Sequence, residues 1–120
     1  MSIGKVLHFT DAEANLFGET APGTSIRVLI DDESDGAPTT VLRMIEIEHG
    51  GNSPRHMHNY EHTNFVVEGR GRVLIDETWH DLKPGDAALV PANILHQFVN
   101  AGDAVFKFLC AIPAKHLIGS

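Results

Sequence analysis

The strongest constraint on this chain is a regular succession of short, β-branched apolar runs separated by clusters of turn-forming residues. The runs cover 25–30, 39–48, 63–68, 71–75, 87–90, 96–100 and 105–112. Each is too short, or too rich in Val, Ile, Thr and Phe, to be read as a helix. The separators at 31–38, 50–54, 68–69, 76–78, 83–85 and 101–103 each contain Gly, Pro, Asp, Asn or Ser, the residues that turns select. Strand-length runs at this spacing predict an all-β sandwich or barrel.

At 120 residues, with 42% hydrophobic and 21% charged residues, the chain can close one core without disulfides, so a single domain over 1–120 is expected. Within it, 25–113 is the barrel and 1–24 an N-terminal strand or arm. The first twenty residues allow an extra strand, a short helix around Asp11 to Phe17 with Thr10 as its N-cap, or an arm exchanged in a dimer. The stretch from Asp32 to Thr40 reads as a surface loop. The formal charge of -7 disfavours nucleic acid and anionic membrane surfaces as partners. The single cysteine, Cys110, cannot form an internal disulfide. With no signal peptide or membrane-length apolar run, a cytoplasmic location is expected.

Alternation along the runs sorts side chains onto faces. Lys107 marks the solvent face of the last run, which groups Phe106, Phe108 and Cys110 inward. In 96–100, Gln97 alternates with His96 and Phe98, so a histidine is aimed into an apolar interior. Three more histidines fall within seven residues, as His56-Met57-His58-Asn59-Tyr60-Glu61-His62. On an extended strand His56 and His58 share one side, and His62 keeps their parity. Four imidazoles can then converge on a metal ion, whereas a lone histidine is more often a surface residue. His8, His49, His80 and His116 lack such spacing and are assigned to the surface.

The order Gly50-x5-His56-x-His58-x3-His62-x6-Gly69, followed by Gly85-x5-Pro91-x4-His96-x3-Asn100, resembles the two motifs of the cupin superfamily. The likeness runs from about Arg27 through Pro113. His62 stands where the common pattern has glutamate, so the chain is similar to the four-histidine variant, and small manganese-containing bacterial monocupins are the nearest likeness. Asn93 replaces a usual glycine, which concerns only the local turn. The resemblance implies a double-stranded β-helix, a jelly-roll cupin barrel of roughly eight strands. It also implies a homodimer and one divalent transition-metal ion per chain inside one end of the barrel, held by His56, His58, His62 and His96.

Imidazole ligands suit Zn, Cu, Fe and Ni, and the resemblance favours Mn or Fe. Four neutral ligands leave the ion its full charge, which would draw anionic small molecules. Arg43 has inward parity with Val41, Ile45 and Ile47; it reads first as an edge or dimer-interface arginine and second as an anion anchor. Cys110 reads first as apolar filling and second as a pocket residue that tunes the metal. Tyr60 is either a gate or hydrogen-bond donor, or an exposed loop aromatic. Phe65 or Val66, with Phe98, Phe106 and Phe108, are the expected pocket walls for a small unsaturated or aromatic substrate. The expected activity is a Mn- or Fe-dependent oxygenase of dioxygenase type. The alternatives are a metal-dependent isomerase, lyase or cyclase, and a non-catalytic ligand- or metal-binding protein.

Overall fold

The computed structural model describes residues 4–37 and 39–118. In chain order the strands are β1 (Ala14–Leu16), β2 (Thr24–Ile30), β3 (Thr40–Ile47), β4 (His62–Glu68), β5 (Gly71–Ile75), β6 (Thr78–Leu82), β7 (Ala87–Val90), β8 (His96–Asn100) and β9 (Phe106–Pro113). Their antiparallel pairing makes a six-stranded sheet ordered β1-β2-β3-β9-β4-β7 and a three-stranded sheet ordered β6-β5-β8. The all-β, two-sheet architecture expected from the sequence is therefore the one observed. All seven apolar runs are strands, with ends displaced by no more than one residue.

Three local expectations are corrected. Residues 78–82 form β6, which the apolar pattern did not reveal because only Leu82 of that strand is buried. As an edge strand bonded only to β5, it needs no alternating core face. Of the readings open for the first twenty residues, the extra strand forms, as β1, and the helix around Asp11 to Phe17 does not. Phe9–Asp11 is a single 3-10 turn capped by His8 rather than Thr10, and Ala12 is already extended at φ -90. The segment then enters β1, which pairs with β2 of its own chain. There Arg27 Nη1 donates to Ala12 O at 2.7 Å, and the Arg27 guanidinium lies 5.7 Å from the centre of the Phe9 ring. Finally, the loop after β2 contains one helical turn, α1 (Asp32–Asp35), capped by Asp31 and ended by left-handed Gly36. A second short turn, α2 (Lys115–Ile118), follows β9.

Register stacks the inward side chains in layers. Between β3 and β9 it pairs Ile47 with Phe106, Ile45 with Phe108, Arg43 with Cys110 and Val41 with Ile112. Across β9, β4 sets Val66 beside Phe108 and Asn64 beside Cys110, while β8 sets Phe98 beside Val73 of β5. Ile47, Phe106, Phe108, Val66, Phe98 and Val73 are all buried, and the rings of Phe98 and Phe108 stack at 4.3 Å. One end of the barrel is thus a closed apolar plug. One layer further the interior turns polar, through Arg43, Cys110 and Asn64. Phe65, a possible wall by sequence, faces outward and is 48% exposed; Val66 takes the inward position.

Gly71 of β5 lies against the closed end, and a Cβ there would run into the Phe106 ring. Because Phe106 is fully buried, the ring has no room to retreat. Gly71→Ala is expected to lower stability by about 1–3 kcal/mol, the usual range for overpacking a core. The check is the urea unfolding midpoint; an unchanged midpoint would contradict this account of the plug.

Candidate metal centre

The polar end of the barrel gathers the four predicted histidines, with His56 exposed and His58 half-buried. His62 opens β4 and His96 opens β8, and both are buried, at 4% and 3% exposure. His56 and His58 do not lie on a continuous strand, as the sequence reading had it. They sit in the connection between β3 and β4, where His56 forms an isolated bridge to His96. His56 N donates to His96 O at 3.1 Å and His96 N donates to His56 O at 2.9 Å. Upstream, Ser53 N donates to Phe98 O at 2.8 Å, and Phe98 N donates to Ser53 Oγ at 2.8 Å. Downstream, Asn93 N donates to His58 O at 2.7 Å. The loop is thereby fastened along β8 and presents its imidazoles as a strand would. Asn93, at φ 63, occupies the left-handed region that asparagine tolerates better than most residues, so the departure from glycine leaves the turn intact.

His96 is the hub of the cluster. Its ring centre lies 4.8 Å from His56, 4.7 Å from His58 and 4.8 Å from His62. Ligand nitrogens of His56, His58 and His96 all lie within 4.8 Å of one another, a three-histidine cluster able to hold a metal ion. His62 reaches the same place from β4, with its Nε2 3.2 Å from His96 Nε2.

Hydrogen bonding fixes which nitrogens face inward. His62 Nδ1 lies 2.7 Å from Asn64 Oδ1, His58 Nδ1 lies 2.8 Å from Tyr60 O, and His96 Nδ1 lies 2.9 Å from Ile94 O. All three partners are acceptors, so each Nδ1 carries the proton and donates it. Asn64 Nδ2 donates towards Leu109 O at 3.4 Å, which keeps Oδ1 turned to His62. The Nε2 atoms of His58, His62 and His96 are left with free lone pairs, the arrangement typical of metal-bound histidine. Burial lowers the pKa of His56, His58 and His96 below the ordinary imidazole value and pushes that of His62 down to about 4. The Arg43 charge contributes in the same direction at His56, His58 and His62. Neutral rings cannot place a proton between His62 Nε2 and His96 Nε2. A cation can, since two nitrogens each about 2.1 Å from one ion come to roughly this separation. The donor set fits a divalent transition metal.

The histidines line a cavity of about 320 Å³. Its walls include Ile26, Ile45, Phe98 and Phe108, together with Arg43, Tyr60 and Cys110. Phe98 and Phe108 are thus walls as expected, whereas Phe106 belongs to the plug. The edge reading of Arg43 is overturned, because β3 is an interior strand between β2 and β9. Its Nη2 donates to Cys110 Sγ at 3.0 Å. Cys110 is both buried filling, at 3% exposure, and part of the cavity wall. The Tyr60 ring stacks on His58 at 3.9 Å with planes 5° apart, so it is no free loop aromatic. His8, His49, His80 and His116 are all exposed. Asn64 was missed by sequence reasoning, although its place two residues after His62 gives it the same inward parity.

Residues 43–112 match the Cupin domain family. The chain belongs to the cupin family. The polyketide cyclase RemF from Streptomyces resistomycificus superposes with a TM-score of 0.84 at 30% identity, covering 94% of this chain and 81% of that one. The 1-methylthio-D-xylulose 5-phosphate methylsulfurylase of Rhodospirillum rubrum is 30% identical over 77 residues, 64% of this chain and 49% of the relative. Protein SchB of Streptomyces halstedii is 29% identical over 82 residues, 68% of this chain and 59% of the relative. The match therefore spans between about half and three fifths of those two proteins. No described helix of this cupin is long and apolar enough to cross a membrane.

Two outcomes follow from the hydrogen bonds and the burial. Asn64→Leu, which removes the acceptor for His62 Nδ1, is expected to weaken metal affinity by about 10–100-fold, measured by competition with a chromophoric chelator. The second concerns metal-free protein. The unfolded chain binds more protons than the folded one between the ordinary imidazole pKa of 6.5 and the His62 value of about 4. Stability is then full above about pH 6.5 and falls as acid is added through this window. Urea midpoints in the presence of chelator should decline from about pH 7.5 to about pH 5, above the main carboxylate range. The decline should be shallower in His62→Asn.

Proposed function

We propose that this cupin is a metal-dependent cyclase or isomerase that holds one divalent transition-metal ion on His56, His58, His62 and His96. The observation that carries the reading is the convergence of free Nε2 lone pairs, with His62 and His96 only 3.2 Å apart, at the end of a largely apolar cavity. The likeness to a polyketide cyclase over 94% of the chain supports the reaction class. The oxygenase expected from the sequence has no counterpart among the named relatives above. Manganese and iron remain the first choices for the ion, with zinc, nickel and copper as the other imidazole-compatible candidates.

When bound, such an ion would polarise a carbonyl oxygen and make the adjacent C–H more acidic. The chain supplies the rest. Ile26, Ile45, Phe98 and Phe108 would hold the carbon skeleton and keep water away from it. Tyr60, fixed by stacking on His58, offers its phenol oxygen as a proton carrier at the cavity wall. Hydrogen bonds from Nδ1 to Asn64, Tyr60 and Ile94 hold three of the rings in the donor tautomer and prevent them from turning. The proposed homodimer has support in Phe65, Val67 and Leu89, apolar side chains exposed on β4 and β7.

Elemental analysis of protein purified without added metal should give about one ion per chain, and His62→Ala should reduce the content sharply. Incubation with a poly-β-carbonyl compound under nitrogen should then yield a cyclised or isomerised product without oxygen uptake. Turnover that requires dioxygen would replace this reading with the oxygenase one. Failure to retain any of Mn, Fe, Ni, Cu or Zn would overturn both.

A further inference from the structure

Among the described residues, Arg43 is the one charged side chain lining the cavity beside the neutral histidines, and it has no acidic partner. Arg43 stands opposite Cys110 in the register of β3 and β9, and immediately after the Val28–Arg43 pair the register of β2 against β3 shifts. Irregularities of this kind commonly re-aim side chains beside binding sites. Arg43 Nη2 donates to Cys110 Sγ at 3.0 Å, and a thiol is a weak acceptor. Its Nε is buried without a partner. Elsewhere in the same protein arginine Nε is used differently: Arg27 Nε donates to Glu46 at 2.6 Å and Arg72 Nε donates to Asp81 at 2.9 Å. None of the ion pairs among the described residues involves Arg43.

A guanidinium cannot discharge itself by losing a proton, and a donor kept from water without an acceptor costs free energy. The natural acceptor is absent from the protein side. Although the chain carries 16 Asp and Glu residues, not one lines this cavity. The walls beyond Arg43 include the apolar side chains of Ile26, Ile45, Phe98 and Phe108.

We propose that Arg43 is the anion-binding residue of this cavity and that its ligand is a small carboxylate with an apolar or aromatic body. A single planar fork matches a carboxylate, which takes two parallel N–H donors from one arginine. A phosphate dianion would call for further donors, and the cavity has no second arginine or lysine. Because Nε is closed to a water-sized atom where it lies, the guanidinium must swing off the thiol to take the ligand, and the carboxylate then pairs with its fork while the ligand's body lies on the phenylalanine and isoleucine walls. This deepens the reading of the cavity as a substrate site, and it places the anion on Arg43 rather than on the histidines.

Isothermal titration with benzoate and with benzamide, its neutral counterpart of similar shape, tests the assignment on protein as purified and after chelator treatment. Benzoate should bind at least about tenfold more tightly than benzamide, before and after chelation. Arg43→Gln should abolish the preference and leave benzamide binding unchanged. Cys110→Ala, which leaves the guanidinium in place, should retain it. Where Arg43→Gln fails to fold by circular dichroism, Arg43→Lys decides: the point charge without a fork should lower benzoate affinity severalfold and spare benzamide. Equal binding of the two ligands, no binding of either, or a preference that survives Arg43→Gln overturns the proposal. A preference lost on chelation but indifferent to Arg43 assigns the anion to the metal, which overturns the arginine subsite and leaves the metal reading standing. An Arg43-dependent preference in protein that retains no metal does the reverse.

Discussion

His62 Nε2 and His96 Nε2 face each other at 3.2 Å inside the barrel, while the other nitrogen of each ring is committed to an oxygen acceptor. Two lone pairs at that distance repel unless something positive lies between them. Protonation is opposed by burial, which lowers both pKa values. The surrounding structure therefore holds in place an arrangement that is unfavourable in isolation, and it does so with many small contacts. These include the Asn64 amide, the Ile94 and Tyr60 carbonyls, and the backbone bridge between His56 and His96. Groups held away from their own preferred arrangement by well-packed surroundings mark functional sites more often than structural ones.

The apolar plug makes this affordable to the fold. Phe106, Phe108, Phe98, Val66 and Ile47 fill the closed end, and the strands that carry them continue without interruption into the polar layer. Ile45 is followed inward by Arg43, Phe108 by Cys110, and Val66 by Asn64 and His62. Stability and chemistry are thus separated along the barrel axis rather than between domains. The strands positioned by the plug serve as rails for the site, whose side chains inherit their rigidity.

Electrostatics shows the same separation. The chain is acidic overall, yet no carboxylate lines the cavity, and several pair with Lys5, Arg27, Arg72 and Lys107 on the outer faces. The interior retains neutral imidazoles and one guanidinium. With low-dielectric walls and no acidic neighbour, a positive charge there acts at full strength on whatever enters. This favours an anionic or carbonyl-bearing molecule over a cation.

The sequence by itself determined the strands and the all-β class, because alternating apolar positions leave a strand only one face to bury, and all seven runs became strands; the choice of a jelly-roll barrel over another sandwich came from the cupin motifs. It also singled out His56, His58 and His62 by their spacing within a short segment, and His96 by its inward parity on a later run. β6 stayed hidden because an edge strand with a mostly solvated surface carries no apolar signal. Only the tertiary structure decided the rest. That His56 and His58 lie on a loop fastened to β8 depends on hydrogen bonds between residues some forty positions apart. That Arg43 is an interior residue depends on β3 lying between β2 and β9. Periodicity assigns a side chain to a face of its own strand, but which strands flank it, and so whether that face meets core, cavity or solvent, is settled by long-range pairing.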